Sequence, residues 1–239
     1  MATAGSARLG LPVLALLLTL PACTIEVPLP PGSAPGSAPA TVPASAPPGG
    51  AAPAPSPSGV DPGLPPLTRA QITGEDMTFA RGSYLAQGES VAFADGMTRS
   101  DGWTPRRMMV NGESAYEDGL GCLASLRHTG VQGPLVVDGD DRASTEALFA
   151  FLDPSILPEY LVTTTWPWGG SPGESPAGIE FLTYLQPAAG SAPASAVSLR
   201  LFSGPRTGLA ITVSCPSDDQ LAAAVADVRS RVSVVPPRS

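Results

Sequence analysis

Residues 196–220 read AVSLRLFSGPRTGLAITVSCPSDDQ, and two periodicities meet in them. Val197, Leu199 and Leu201 alternate with smaller or polar residues, the period of a strand with one buried face. Gly204-Pro205-Arg206-Thr207-Gly208 forms a turn, and the alternation resumes with Leu209, Ile211, Val213 and Cys215. Two such runs around a Gly/Pro turn predict a β-hairpin. Ser217-Asp218-Asp219-Gln220 then opens a helix, with Ser at the cap and Gln three residues on, the pattern of a capping box. Asp218 and Asp219 complement the positive helix end. Leu221, Val225, Val228 and Val232 follow at spacings of four, three and four, which makes one apolar stripe.

Upstream, the signals are similar but shorter. In residues 121–129, Cys122, Ala124, Leu126 and His128 share a face. Residues 179–186 read as another strand, as do 90–94 and the run 108–116, where Asn111-Gly112 is a two-residue hairpin turn. A second helix is expected from Ala143 to Leu152, stopping before Pro154. Residues 154–178 are rich in Pro and Gly and are expected to be a long loop, with some strand at 160–165. Together these predict an α+β domain: an antiparallel sheet of about five to six strands and two main helices, one of them C-terminal.

The N-terminal third has a different chemistry. Arg8 precedes a short apolar block that ends in Leu20-Pro21-Ala22-Cys23. The block is shorter than the roughly 20 residues a membrane-crossing helix needs, and its order is that of a secretory signal. The four residues at its end resemble the bacterial lipobox. That resemblance implies diacylglycerol on the Cys23 thiol, cleavage before Cys23, and a protein anchored on the outer face of the cell membrane. The alternative is an ordinary secretory signal with a chance cysteine. From Thr24 to Pro66 the chain is Pro, Ala, Gly and Ser with only Glu26 and Asp61 as charges. Nothing there can offset the entropy of folding, so a disordered, partly polyproline II tether is expected. At ~3.1 Å per residue it could reach on the order of 120 Å. Its Ser and Thr are candidate O-glycosylation positions, the alternative being an unmodified linker. The organisation is thus a signal peptide over 1–22, a lipidated linker over 23–66, and one domain over 67–236.

Composition narrows the function classes. The chain has 13 Arg, no Lys and a net charge of −8, and its Arg-, Ala-, Gly- and Pro-rich usage resembles that of GC-rich bacteria such as actinobacteria. Setting aside Arg8, Glu26 and Asp61, 19 acidic and 12 basic residues remain, a net −7. Such a surface is repelled by nucleic acid, which is not expected as a partner. Cys122 and Cys215 are an even pair in an oxidising compartment, and a disulfide between them is the expectation. Two buried thiols or a metal pair are the alternatives. Neither cysteine has a ligand-spaced His or Cys neighbour, so zinc is not expected.

Chemistry is harder to find. Gly-Glu-Ser occurs before Ser90, Ser114 and Ser175, yet none completes a nucleophile elbow. His128 is the one histidine and reads as a structural or surface residue. Asp138, Asp140 and Asp141 lack the spacing of a calcium loop and fit an acidic turn entering the helix. Glu117 and Asp118 read as solvated rather than as a glycosidase pair. No cofactor or metal is expected. Trp166 and Trp168, flanking Pro167 in a Gly-rich stretch, are the candidate ligand-binding residues, able either to stack on a sugar or peptide or to plug the core. The strand, strand, capped-helix order, with Gly88-Glu89-Ser90-Val91-Ala92-Phe93 and Asp101-Gly102-Trp103, is similar to PsbP-like α+β lipoprotein domains. That resemblance implies a binding or accessory role toward an envelope protein or cell-wall ligand. The rival reading is an envelope hydrolase with an acidic or serine site. A carrier for an importer is disfavoured because about 170 residues are too few for two lobes.

Overall fold

The computed structural model describes residues 68–99, 101–130, 132–171 and 177–237. Two short helices come first, α1 (Arg69–Gly74) and α2 (Phe79–Gly82). Then follow β1 (Ala92–Asp95), β2 (Trp103–Val110), β3 (Glu113–Asp118), β4 (Leu123–Thr129) and α3 (Asp141–Leu152). The chain continues through β5 (Leu161–Trp168), β6 (Ala177–Gln186), β7 (Ala194–Phe202) and β8 (Thr207–Cys215). It ends with α4 (Asp218–Arg231) and β9 (Val232–Val235). All nine strands form one sheet in the order β1-β9-β5-β6-β7-β8-β4-β3-β2. The α+β class stands, but the sheet is larger than the five to six antiparallel strands expected, and β5–β9 is a parallel contact at Trp168 and Val234.

Three elements account for the difference. Val232 continues the helical spacing, but α4 stops at Arg231 and Val232 opens β9. Residues 154–178 are not one loop: β5 runs through Trp166, Pro167 and Trp168, paired with β6 from Tyr184 down to Ala177. Charges and Pro105 hid the first half of β2.

The hairpin of residues 196–215 forms as expected, with β7 and β8 in register from Ala194 against Cys215 to Phe202 against Thr207. Its surroundings differ from a one-sided strand. One face of β7 joins Leu148, Phe149 and Leu182 under α3, while Ala194, Ala196 and Phe202 belong to the larger core under α4. A central strand covered on both sides must satisfy every polar group inside the protein. Ser198 does so through the Thr183 hydroxyl at 2.8 Å, and Thr183 in turn meets Thr164 at 2.6 Å.

Caps set both main helices. Ser217 accepts the Gln220 N–H at 3.4 Å and its hydroxyl donates to Gln220 Oε1. Asp140 accepts the Ala143 N–H at 2.9 Å, so α3 starts two residues earlier than expected, at Asp141. The acidic run therefore divides its labour. Asp140 caps, exposed Asp138 lies near Arg206, and Asp141 is buried against Arg200. Among the described residues no three His, Cys, Asp or Glu side chains gather as a metal site.

The sheet also curls, bringing β1 toward β4 although they lie far apart in the strand order. The Tyr116 hydroxyl on β3 donates to Asp95 Oδ2 on β1 across this seam. Asp95 Oδ1 accepts the Met97 N–H at 3.0 Å. One Asp thus fastens the strand end and joins the two margins of the sheet.

Candidate functional site

The seam encloses a cavity of about 210 Å³. From β1 come Ala92, Phe93 and Asp95, and from β4 Leu126 and His128; the β2–β3 hairpin adds Met109 and Ser114, and Ser90 stands at the rim. The period-2 rule places His128 and Leu126 on one face of β4, and Ser114 and Tyr116 on one face of β3. The register then sets Ser114 opposite Leu126. Sequence reading gave the faces but had no means of joining them to β1.

The hairpin is shaped for this mouth. Asn111 and Gly112 form the two-residue turn between Val110 and Glu113, with φ of 53° and 76°. Both central residues are left-handed, as a turn of this type requires. Gly112 has a second constraint: a Cβ there would lie 2.5 Å from the His128 carbonyl oxygen. Register shifts in β2 between Pro105 and Arg107 and between Arg107 and Val110 bulge the strand. Met109 within the second has φ 51° and is 71% exposed, its N–H donating to Ser114 Oγ at 3.3 Å. A bulge re-aims a side chain, and a left-handed non-Gly residue carries a backbone cost that clusters at ligand sites.

Inside, the polar groups are unevenly engaged. Asp95 is taken up by Tyr116 and the Met97 N–H. His128 Nε2 is buried with no hydrogen-bond partner. Among the described residues no hydrogen bond joins His128 to Ser90, Ser114 or Asp95. Two of the three Gly-Glu-Ser serines thus meet the histidine and an acid around one cavity without forming a nucleophile–base pair; Ser175 lies outside the described residues.

Burial drives the Tyr116 phenol above its ordinary pKa, and the adjoining Asp95 adds to the shift. Raised in the fold, the phenol contributes its full stabilisation below about pH 10 and loses it as pH rises further. Tyrosinate absorbance at about pH 11 should therefore fall short of all four tyrosines until the protein unfolds. Simultaneous ionisation of all four in the folded protein would refute the buried pairing.

The two tryptophans singled out as ligand residues are on strand β5, with their rings inside the protein. Trp168 is 0% exposed and its indole N–H donates to the Ile72 carbonyl at 2.5 Å. Trp166 is 2% exposed and stands edge-on to Phe181. Neither is an exposed stacking platform. Glu117 forms an ion pair with Arg106 on β2, and Asp118 Oδ1 accepts the Leu120 and Cys122 N–H groups at 2.8 Å each. Cys122 and Cys215 are joined, as expected, at 2.09 Å. The register that pairs Leu123 with Ser214 puts them directly opposite at adjacent strand ends. Cys23 lies outside the described residues.

Asp95, Tyr116 and Met109 carried no sequence signal as a group. Tyr116 could have been placed inward by alternation with Ser114, but its partner comes from an element 21 residues away. The chain matches no protein-family model, and no curated protein is significantly similar to it.

Proposed function

We propose that the protein is a lipoprotein of the bacterial cell envelope, fixed to the membrane through Cys23, whose folded part is a non-enzymatic binding module with the seam cavity as its ligand seat. The observation that carries the reading is the cavity's composition. An apolar lining of Phe93, Leu126 and Met109 surrounds a carboxylate and an unpartnered buried imidazole nitrogen, the make-up of a small-molecule pocket. Its volume suits a ring-sized molecule with one hydrogen-bonding end. Ester chemistry would need the histidine on a serine, and no such bond forms among the described residues, whereas each Asp95 oxygen keeps a lone pair for a ligand beside the Tyr116 and Met97 donors.

Benzylamine, a compact ring with one cationic donor, is a direct probe. With 13C-methyl methionine, titration should move the Met109 methyl and leave Met77, which is buried beside Ile179 of β6 and does not line the cavity, in place. Asp95→Asn or His128→Ala should weaken the response about tenfold. No movement of Met109 would sink the pocket reading. The grouping of Ser90, Ser114 and His128 favours the hydrolase as the second reading. Nitrophenyl acetate hydrolysis that disappears in Ser114→Ala or His128→Ala would replace the first reading with it. The anchor is tested separately: clickable palmitate should label the protein, and Cys23→Ser should abolish both label and membrane partitioning.

A further inference from the structure

A second groove lies between the C-terminal half of α4 and the β5–β6 pair. It has a volume of about 480 Å³ and is lined by Trp166 and Thr165 from β5, Gly178 from β6, and Ala226, Arg229 and Ser230 from α4, with Pro167 and Ala177 at its margin. Ala226, Arg229 and Ser230 are three and four residues apart, so the helix turns one narrow face toward it. Small residues form its floor and leave the space open.

Two of the residues that line this groove each carry a buried donor without an acceptor. The Trp166 indole Nε1 is buried and unpartnered, in a side chain 98% removed from solvent, and Arg229 Nε is buried and unpartnered as well. The Arg229 guanidinium stands over the Trp166 ring, 5.2 Å from its centroid, which holds the cation against the indole. Arg231 on the same helix is neutralised by Asp227 at 2.9 Å. Arg229 has no carboxylate at ion-pair distance among the described residues. Among the described residues no acidic side chain lines the groove. Beside it, Asp76 accepts the Gly178 N–H at 2.8 Å. In a protein of net charge −8, Arg229 thus stands beside a second N–H donor with no acid of the described residues paired to it. Buried donors without acceptors are rare, and each asks for an explanation.

We propose that this groove binds a carboxylate, with Arg229 and the Trp166 indole N–H as its two donors. The planar anion has two acceptor oxygens, one for each donor, and charge-assisted hydrogen bonds of this kind are the strong ones. Neither nitrogen is open to water in this conformation, so the anion enters as the Arg229 side chain rotates on its flexible stem. Trp166 then acts through its N–H rather than through its ring face. The carboxylate can belong to a free small acid or to the C-terminus of a peptide; the chemistry at the two donors is the same.

The test follows the indole N–H signals of the full chain by 1H–15N NMR. Trp103 and Trp168 serve as internal controls, because their N–H groups already donate to Asp227 and to the Ile72 carbonyl. N-acetyl-dialanine should move the Trp166 signal saturably and leave the other two in place. Its C-terminal amide should have no effect. Arg229→Gln should weaken binding at least tenfold, Arg229→Lys should recover part of it, and Trp166→Phe, followed on the Arg229 Nε–H signal, should weaken it about tenfold while keeping an aromatic ring. Unchanged Trp103 and Trp168 signals establish that each variant is folded. Acetate binding as tightly as the peptide acid assigns the site to free acids; peptide acid alone assigns it to a chain end. No shift at tens of millimolar, an equal response in Arg229→Gln, or tighter binding of inorganic phosphate would overturn the assignment.

Discussion

Asp141→Asn should destabilise the protein by about 3 to 5 kcal/mol, the cost of leaving a buried charge without its counter-ion. Arg200 and Asp141 are both fully buried and meet at 2.8 Å. The guanidinium also donates to the Thr78 and Glu180 carbonyls at 2.9 Å each and packs 4.2 Å from the Phe79 ring centroid. Burial pulls the Arg200 pKa below its ordinary value, and Asp141 opposes that shift. The amide of Asn keeps the shape and can still accept from the Ser203 N–H and hydroxyl, both at 2.7 Å in the native protein. What it loses is the charge and the acceptor that faces Arg200 Nη2, where an amide NH2 would now meet a donor. At about 2 to 4 °C per kcal/mol for a chain of this size, the melting temperature should fall by roughly 10 °C. Combining Asp141→Asn with Arg200→Met should recover part of the loss, since a well-packed apolar pair can replace a buried ion pair. A melting point within a degree or two of the native value would show that the pair contributes little. Gly82 belongs to the same cluster. A Cβ there would meet Asp141 Oδ2 and Arg200 Nη2, so Gly82→Ala should also destabilise, by displacing the pair rather than discharging it.

Removing the disulfide is the second large effect. Cys122 and Cys215 are 93 residues apart in sequence and face each other at the ends of β4 and β8. Their link restrains the unfolded chain, and the loop-entropy relation gives ~4 to 5 kcal/mol for a loop of that length. The Cys122→Ala/Cys215→Ala pair, or reduction of the native protein, should therefore bring unfolding to a far lower denaturant concentration. The chevron should show most of the change in the refolding arm if the bond acts through the unfolded ensemble. Mass analysis without reductant should find no free thiol at either position. A midpoint that does not move between oxidised and reduced protein would refute the assignment of stability to this bond.

How far the fold could be read in advance depended on how local each signal was. The β7–β8 hairpin, the Ser217 cap and the Asn111-Gly112 turn rest on neighbours in sequence, and all three formed. The cysteine pair was inferred from compartment and number, and the strand register supplies the reason it is geometrically possible. β5 escaped because Trp166-Pro167-Trp168 has the look of a loop; Pro167 is tolerated near the strand's end, where it faces Gly178. β9 escaped because Val232 continues the helical spacing by coincidence. Arg200 looked like an ordinary outward residue of an alternating strand, and only the packing of α2 and α3 buries it. The seam cavity draws on β1, β2, β3 and β4, and the groove on β5, β6 and α4, so neither could be assembled from spacing along the chain.

β2, the last strand of the sheet, has its outer margin unpaired, and an unpaired margin invites another chain to add a strand. Here the margin is broken by two register shifts, interrupted by Pro105, and flanked by Arg106 and Arg107, each held by a glutamate of β3. Such an edge gives a neighbouring copy no continuous row of amides to match. Crowded side by side, these molecules would remain individuals and would not zip into fibres through this margin.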